Sequence, residues 1–570
     1  MTDFTAPTAD QVLAIRVNAG IEELASHDRF AAASADMVEA IVEGIGQFAA
    51  GEWAPLNRKG DLEGARLANG TVSLPAGFAE AYQAYVEQGW NAISGDPDFG
   101  GQGLPFTLAS NVIENLGSAN MAFTLLPLLT VGAIEAISHH GSDAQKETYL
   151  ARLIGGEWSG TMNLTEPQAG SDVGALRTTA VPAADGKWLI KGTKIFITWG
   201  EHDLARNVIH LVLARTPGAP AGTRGISLFI VPKYHVLADG SPGPRNDLRC
   251  VSLEHKLGIM ASPTCVMSFG DNDECLGEMI GAENEGIKAM FTMMNSARIN
   301  VGNQGVQIAE RALQQARRYA RERIQSTRAG SASKDPVAIV EHPDVRRMLL
   351  RMRALTEGAR ALLYYTAGQV DRGALGLPGA QARADCLVPM LKAWGTDVGC
   401  EVASLGVQVH GGMGFIEETG AAQHYRDARI APIYEGTNGI QAADLVTRKL
   451  GYESGGVLAS LFAEIERDCG DAPELAELAA TCAGIARWMA QDASLDDKLA
   501  GSTAFCTMSA VAVAGWQLQR QARDGAGGEA KSVVARFFAQ QIATEALGLK
   551  TAATAGASLL YALDAEALAG

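Results

Sequence analysis

Cysteine, positive charge and long apolar runs are all scarce in this sequence. Its 570 residues include 8 cysteines, no two of which form a C-x-x-C pair or stand at metal-ligand spacing from a histidine. This scarcity excludes the class of small disulfide frameworks and gives no zinc-site pattern. A reduced, metal-free intracellular protein is the interpretation that fits, and no metal ligand is predicted.

Lysine and arginine together number 47, against 64 aspartate and glutamate residues, for a formal net charge of −17 and a pI near 5.1. Nucleic acids and anionic lipid surfaces are bound through clustered cations, so neither is expected as a partner. No uninterrupted apolar run reaches the roughly 18 residues that span a bilayer. Residues 1–20 contain no signal-peptide core, and a cytoplasmic location is expected.

The composition is that of an ordinary globular protein, with 47% hydrophobic and 19% charged residues. A single hydrophobic core stops growing at roughly 250 to 300 residues, so a chain of this length predicts several domains. The periodicity of the apolar residues changes along the chain and indicates where those domains meet.

Helical spacing dominates residues 1–157, short β-branched and aromatic runs fill 158–280, and helical spacing returns over 281–450. Residues 451–570 are alanine-rich and helical again, with 15 acidic and 8 basic residues, and are interpreted as an appended domain. The β-runs have no helices between them, which favours an antiparallel sandwich or barrel over a parallel doubly wound sheet. The predicted fold is therefore mainly α with a central antiparallel β-domain.

Several segments have the composition of a binding site. The residue strings are GWNAI at 89–93, FGGQGL at 99–104, MNLTEPQAGSD at 162–172, KIFIT at 194–198, QVHGGMGF at 408–415 and YEGTN at 434–438. Glycines let a backbone approach a ligand closely, and an alternating strand puts Phe196 and Thr198 on one face. Taken singly, each segment is better explained as an ordinary turn, core strand or solvated loop than as part of a site.

In their order and spacing, over about residues 80–450, these segments resemble the acyl-CoA dehydrogenase family. The resemblance implies a flavoprotein oxidoreductase that uses FAD to convert an acyl-CoA thioester to the trans-2-enoyl-CoA. Glu435 is the implied base for the α-proton, with a pKa raised by desolvation. Its backbone N–H and a ribityl hydroxyl of FAD would polarise the thioester oxygen, and the flavin N5 would accept the hydride.

The resemblance also carries over contacts with the cofactor. Phe196 stands where many relatives have tryptophan and would keep an aromatic wall on the flavin. Arg323 matches a pyrophosphate arginine, although the aromatic–glycine pair that follows it in the family is missing here. The implied FAD contacts are Met162, Leu164, Thr165, Gly170, Ser171, Phe196, Ile197, Thr198, Arg323, Gln408, Gly411, Gly412, Thr437 and Asn438.

Contacts with the thioester and the CoA portion are implied for Ser171, Asn295, Arg298, Tyr434 and Gly436. Many relatives have aspartate at the position of Asn295. In the family the glycine-rich segment at 408–415 serves FAD bound by a neighbouring subunit, so a homodimer or homotetramer is expected. His410 is interpreted as a structural histidine, and an electron-transferring flavoprotein is the implied electron acceptor.

Within the family, the 3-methylmercaptopropionyl-CoA dehydrogenase type is the nearest resemblance. It rests on residues 162–172, on GEHD at 200–203, on EHKLG at 254–258 and on the C-terminal extension. 3-Methylthiopropanoyl-CoA is thus one candidate substrate, and a medium or long straight-chain acyl-CoA is another. An acyl-CoA oxidase or a nitroalkane-oxidase-like enzyme stays open, and a DNA-binding flavoprotein is disfavoured by the acidic extension.

Overall fold

The computed structural model describes residues 4–570, so the first three residues of the predicted N-terminal domain lie outside the described residues. Its helices are α1 (Thr8–Ala14), α2 (Ile21–Ala25), α3 (Ala35–Phe48), α4 (Ala54–Glu63), α5 (Phe78–Glu87), α6 (Phe106–His140), α7 (Asp143–Ile154), α8 (Gly286–Glu322), α9 (Pro343–Ala374), α10 (Ala380–His410), α11 (Ala421–Ala428), α12 (Asn438–Thr447), α13 (Gly456–Asp468), α14 (Pro473–Gln491), α15 (Leu495–Asp524), α16 (Gly528–Phe537), α17 (Thr544–Leu547), α18 (Lys550–Thr554) and α19 (Ala565–Ala569).

The strands all lie between α4 and α8. They are β1 (Arg66–Ala68), β2 (Thr71–Ser73), β3 (Trp158–Asn163), β4 (Thr179–Pro182), β5 (Trp188–Thr198), β6 (Asn207–Ala214), β7 (Ser227–Pro232), β8 (Tyr234–Val236), β9 (Pro242–Arg245), β10 (Leu248–Leu253), β11 (Thr264–Phe269) and β12 (Leu276–Ile280). The order of helices, strands and helices confirms the predicted fold class.

The described chain forms two compact units. The first contains Gln47–Leu104 and Ala119–Ala297, and the second contains residues 4–46, Pro105–Ser118 and Arg298–Gly570. Helix α6 passes from one unit to the other next to Asn120, whose φ of −159° and ψ of 92° interrupt the helix. The four-part division expected from periodicity stays a prediction.

The first unit is built around an eight-stranded sheet in the order β10-β11-β5-β12-β7-β6-β3, with β4 added beside β5. All its pairings are antiparallel except β3 with β6, which run parallel from the Trp158–Asn207 pair to the Asn163–Val212 pair. The sheet is therefore mixed rather than wholly antiparallel. The parallel pair arises because the long excursion through β4 and β5 separates β3 from β6, so no tight turn fixes their direction.

Three aromatic side chains pack against one another at the C-terminal end of β5 within this unit. Trp53 stacks on Phe123 with ring centroids 4.0 Å apart, and Phe123 lies 6.1 Å from Trp199, the residue after β5. The indole N–H of Trp199 donates to the carbonyl of Ala122 at 3.3 Å. Buried aromatic contacts of this kind fix where the strand ends.

The second unit is a helical assembly in which α8 and α10 cross at very small separation. A Cβ added to Gly305 would lie 1.8 Å from the carbonyl oxygen of Gly395, and one added to Gly399 would lie 2.9 Å from the Cα of Gly305. Only glycine fits at such a backbone approach. The crossing sets the position of the loop that follows α10.

Charged side chains are buried between the helices of the second unit. Arg360 donates to Glu114 at 2.8 Å and to Glu310 at 2.7 Å, and Tyr364 donates its hydroxyl to Glu114 at 2.6 Å. The carboxylate of Asp371 accepts from Phe106 N at 2.7 Å and from Thr107 N at 3.0 Å, which caps α6. These partners offset part of the desolvation cost of each charge, and burial still raises the pKa of Asp371 to about 6.

Helices α13 to α18, from the region predicted as an appended domain, pack on the earlier helices of the same unit. Trp516 contacts Tyr365 with ring centroids 5.4 Å apart, and Phe538 contacts Trp394 at 6.2 Å. Lys531 is buried and donates to Glu357 at 2.6 Å. Within the described residues the extension therefore shares one core with α9 and α10.

Two helices, α6 and α15, are long and apolar enough to cross a bilayer, with mean hydropathies of 1.7 and 1.3 over their most apolar windows. Neither helix contains an uninterrupted apolar run of 18 residues, because single polar residues interrupt its sequence. Since 78% and 72% of those windows are buried within the protein, both behave as core helices.

Candidate active site

Glu435 lies in the loop between α11 and α12, called here the Glu435 loop (residues 430–437). Its φ is +53° and that of Gly436 is +83°, so two consecutive residues adopt the left-handed conformation. That conformation costs a non-glycine residue free energy and is kept only where the surroundings hold it. Residues with a strained backbone conformation of this kind are concentrated at functional sites.

The backbone of the Glu435 loop is held from two directions. The carbonyl of Glu435 accepts from Arg298 Nε and from Gln441 Nε2, both at 3.4 Å. The hydroxyl of Tyr434 donates to the side-chain oxygen of Gln304. Because α8 and α12 supply these partners, the direction of the Glu435 side chain is set by two rigid elements.

Asn438 anchors the end of the loop on α10. Its side-chain oxygen accepts from Lys392 Nζ at 3.0 Å, and its amide nitrogen donates to Ala393 O at 3.0 Å and to Asp397 at 2.8 Å. The hydroxyl of Thr437 accepts from Ile440 N at 3.2 Å and caps α12. Both side chains thus hold the loop, and their implied contacts with FAD stay predictions.

The electrostatics of Glu435 suit a base. Burial raises the pKa of its carboxyl, while the cationic Arg298 and Lys392 oppose the shift. Burial also lowers the pKa of Lys392 to about 8, although Glu435 and Asp397 act in the opposite direction. A carboxylate with a raised pKa abstracts a carbon-bound proton more readily than an ordinary surface glutamate.

Arg298 lies beneath this loop. It is 6% exposed and donates to the Glu435 carbonyl. Asn295, one turn earlier on α8, is half-buried. The implied CoA contact of either residue stays a prediction, and the observed function of Arg298 is to support the loop.

At the end of β5 a β-bulge exposes Phe196. The pairing with β11 passes from Lys194–Met267 to Ile197–Cys265, so Ile195 and Phe196 together oppose one residue. Phe196 has a φ of +59° and is 58% exposed, Thr198 is half-buried, and Ile197 is buried in the core. A flat aromatic face is thereby open to a ring ligand, while only the backbone of Ile197 could reach one.

In the same unit the 162–171 segment runs from β3 into an open loop. Met162 is buried, and Leu164 and Thr165 are half-buried. Gly170 and Ser171 are exposed, and a Cβ added to Gly170 would meet nothing within 4 Å. Space on the outer side of this backbone is what close approach of a cofactor requires.

The glycine-rich end of α10 is open in the same way. Gly411 and Gly412 are exposed, and an added Cβ would meet nothing within 4 Å at either. Tyr319 stacks on the buried His410 at 4.4 Å, which brings the end of α8 next to this turn. Arg323, one turn beyond, and Gln408 are both exposed. Exposed glycine backbone lets a ligand approach closely, and an exposed guanidinium is suited to binding a phosphate group.

His410 has the structural role predicted for it. Its Nδ1 lies 2.7 Å from the carbonyl of Gly406, and burial lowers its pKa. A second histidine, His202, lies 2.9 Å from the hydroxyl of Ser159, yet its Nδ1 accepts from Leu204 N at 3.2 Å. His202 therefore donates from Nε2, so the pair does not form a hydrolase nucleophile.

Sequence reasoning missed the residues that hold Glu435. Lys392, Gln304 and Gln441 are not part of the motifs, and they reach the loop only through the helix packing. A partial signal existed for Lys392, a single cation in the middle of the apolar α10 sequence. Among residues 4–570 no three His, Cys, Asp or Glu side chains are grouped as a metal site would require.

The chain belongs to the acyl-CoA dehydrogenase family. The family's N-terminal domain matches residues 36–157, its middle domain matches 161–272, and its C-terminal domain matches 284–450. These enzymes are FAD-dependent oxidoreductases that act on acyl-CoA thioesters, so the predicted family, enzyme class and cofactor are confirmed.

Two relatives match nearly the whole chain. The 3-methylmercaptopropionyl-CoA dehydrogenase of Ruegeria pomeroyi is 49% identical over 572 residues, which cover 95% of this chain and 96% of the relative. The broad-specificity linear acyl-CoA dehydrogenase of Mycobacterium tuberculosis is 33% identical, with 95% of each chain covered. Both matches include the C-terminal extension.

Solved structures share the fold. Caenorhabditis elegans ACDH-11 in complex with C11-CoA has a TM-score of 0.80 at 18% identity and covers 99% of this chain and 96% of its own. An acyl-CoA dehydrogenase complexed with FAD from Bacillus anthracis has a TM-score of 0.73 at 21% identity, covering 93% and 89%. An electron transferring flavoprotein structure of Acidaminococcus fermentans is 27% identical with a TM-score of 0.60, covering 72% and 97%.

Proposed function

We propose that Glu435 is the base that removes the α-proton of the acyl-CoA thioester in this enzyme. The observation that carries the proposal is a carboxyl with a raised pKa on a strained residue, held by Arg298 and Gln441. Bound FAD supplies the acceptor for the hydride that leaves the β-carbon. The product is the trans-2-enoyl-CoA.

The residues of the chain have separate tasks in this proposal. Gly436 leaves room beside the base, since a side chain there would meet Gln441 at 2.7 Å. The backbone N–H of Glu435 would donate to the thioester oxygen, as the family resemblance implies. Phe196, Thr198 and the 162–171 segment would contact the flavin ring, and Arg323 would contact the pyrophosphate.

The proposed substrate is 3-methylmercaptopropionyl-CoA. Support comes from the 49% identity to the Ruegeria pomeroyi dehydrogenase over almost the full length of both chains. A linear acyl-CoA is the second candidate, supported by the 33% identity to the broad-specificity mycobacterial enzyme. We further propose that an electron-transferring flavoprotein receives the electrons and that the enzyme is a homodimer or homotetramer in the cytoplasm.

Anaerobic titration of the purified protein tests the proposed function. 3-Methylmercaptopropionyl-CoA, butyryl-CoA, octanoyl-CoA and palmitoyl-CoA are added separately while flavin absorbance near 450 nm, a general property of oxidised flavin, is followed. We expect bleaching, with the fastest flavin reduction by the thioether substrate. If none of the four bleaches the flavin, the proposal is wrong.

The electron acceptor and assembly have their own measurements. Slow reoxidation of the reduced enzyme in air, with fast reoxidation by a purified electron-transferring flavoprotein, is expected of a dehydrogenase. Rapid reaction with dioxygen would instead identify an oxidase. Light scattering after size exclusion measures the oligomer, and cell fractionation measures the location.

A further inference from the structure

A buried ion pair ties the 162–171 segment to β5. Lys194 Nζ lies 2.8 Å from Glu166 Oε1, and the two side chains are 0% and 4% exposed. Removing both charges from water is unfavourable, and this cost is offset only when the polar atoms of both side chains find partners. The pair is therefore expected only where the surrounding residues supply those partners.

The carboxylate of Glu166 accepts hydrogen bonds from backbone and side-chain groups around it. Oε1 accepts from Thr178 N at 3.0 Å and from Thr178 Oγ1 at 2.6 Å, as well as from Lys194. Oε2 accepts from Arg177 N at 2.7 Å and from Gln168 Nε2 at 2.6 Å. Burial acts to raise the pKa of Glu166, but Lys194 and these donors lower it to about 2, so the carboxylate is charged at neutral pH.

Lys194 also fixes a backbone group of the same segment. Its Nζ donates to the carbonyl oxygen of Leu164 at 3.0 Å. The next residue on β5, Ile195, donates its N–H to Thr165 O at 2.9 Å, and Glu166 exchanges two backbone hydrogen bonds with Ala169. The peptide groups from residue 164 to 169 are thus held in one orientation by β5 and by the segment itself.

The bulge after Lys194 links this arrangement to Phe196. Up to Lys194 the even-numbered residues of β5 are on the buried face of the sheet, whereas after the bulge the buried residue is Ile197. Lys194 therefore stands on the inner face immediately before the strand turns Phe196 outward. One lysine connects the aromatic wall with the 162–171 segment.

We propose that Lys194 and Glu166 are positioning residues that orient the backbone of residues 164–169, and the adjacent Phe196, for binding of the FAD ring system. The inference rests on the proposed function, in which these residues contact the flavin. Both side chains are buried, at 0% and 4% exposure, so their proposed effect on the flavin is exerted through the backbone of the segment. An apolar pair of similar size would fill the same space but could not donate to the Leu164 carbonyl.

The same unit contains a matched control. Lys233 forms a buried pair with Glu201, with side-chain exposures of 6% and 0%, and donates to the carbonyl of His202 at 3.0 Å. That pair stabilises the turn at residues 200–203, and its hydrogen bonds within residues 4–570 go to neither the 162–171 segment nor Phe196. Glu201 keeps a second cation, Arg245, at 2.7 Å when Lys233 is changed.

The experiment compares Lys194→Met with Lys233→Met in the full-length protein. Melting temperature, FAD affinity of the reconstituted apoprotein, the visible flavin spectrum, kcat and KM are measured. Both variants should melt lower. Only Lys194→Met should bind FAD about tenfold more weakly or worse and show an altered flavin band, because only this change removes the charge-assisted hydrogen bond to the Leu164 carbonyl.

A double variant separates positioning from stability. Glu166→Gln with Lys194→Met leaves no uncompensated charge and keeps an acceptor for the Thr178 donors, so its melting temperature should recover part of the loss seen in Lys194→Met. FAD affinity should stay low, since the Leu164 carbonyl still lacks its donor. Recovery of both quantities, or equal FAD affinity in Lys194→Met and Lys233→Met, would show that the pair is structural only. A parent protein that takes up no FAD would refute the proposed function itself.

Discussion

Around Glu435 a few charges determine how strong a base the carboxylate is. Burial raises its pKa, and the cations of Arg298 and Lys392 limit the rise. The sequence pointed to Glu435, Tyr434 and Gly436 because these lie within one short motif. It could not point to Lys392, which is 43 positions earlier and reaches the loop only through the packing of α10.

Replacement of Lys392 by methionine should shift the pH dependence of the reaction. The change removes a cation that lowers the pKa of Glu435, so that pKa rises and the base is protonated over a wider acidic range. The acid limb of kcat/KM should move to higher pH by up to about one unit. Measured beside it, Lys334→Met, at an exposed lysine, should keep the parent profile. An unshifted acid limb in Lys392→Met would contradict this account of the electrostatics.

Among the elements, β5 shows how far alternation along a strand can be used. The sequence predicted a strand over residues 194–198 with Phe196 and Thr198 on one face, and both do lie away from the core. The reason is different from simple alternation, because strict period-two spacing would also have put Lys194 on that face. The bulge depends on the pairing with β11, about 70 residues later, and no local pattern indicates it.

The crossing of α8 and α10 should not tolerate a side chain. In Gly305→Ala the new Cβ would lie 1.8 Å from the Gly395 carbonyl, so the helices must separate. A loss of about 3 kcal/mol in the free energy of unfolding is expected, at the upper end for overpacking. Gly484→Ala, on α14 with nothing within 4 Å of its Cβ, should gain roughly 0.5 to 1 kcal/mol. Equal urea midpoints for the two variants would refute the close crossing.

Helix α16 should depend on its buried lysine. Lys531→Met leaves Glu357 without its 2.6 Å partner and Asp10 without its 3.0 Å partner, although Glu357 keeps Arg353 at 2.5 Å. Stability should fall by about 1 to 3 kcal/mol, the range for a buried polar group that loses one hydrogen-bond partner. Adding Glu357→Gln should restore part of the loss. Substitution of an exposed lysine on α18, Lys550→Met, should change stability little, and a similar effect of both lysine variants would count against the buried network.

For the whole molecule, composition predicted several domains, and the change in periodicity predicted a β-region between helices. Ten of the strands do lie after α7 and before α8, whereas β1 and β2 lie within residues 1–157, which were predicted to be helical. The number of compact units could not be predicted in this way. Residues 451–570 look separable by their alanine content, yet Trp516 and Phe538 complete the core formed by α9 and α10. Which apolar faces meet is a long-range property, and periodicity reports only that such faces exist.

Removal of residues 451–570 should therefore prevent the rest of the chain from folding into a soluble protein. The truncated chain would expose the apolar faces of α9 and α10 that the later helices cover. Large exposed apolar surfaces cause proteins to aggregate. Expression of residues 1–450 is expected to give insoluble protein, measured by the soluble fraction and by flavin content. A soluble, yellow, monodisperse fragment that melts at the parent temperature would contradict the shared core.

The most direct test of the central claim is single-turnover reduction of Glu435→Gln under anaerobic conditions. Glutamine keeps the size of the side chain and cannot accept the α-proton, so flavin bleaching by 3-methylmercaptopropionyl-CoA should slow by about 10² to 10⁴-fold. FAD content and melting temperature should match the parent, which shows that the site is intact. Reduction of the variant at the parent rate would mean that Glu435 is not the base.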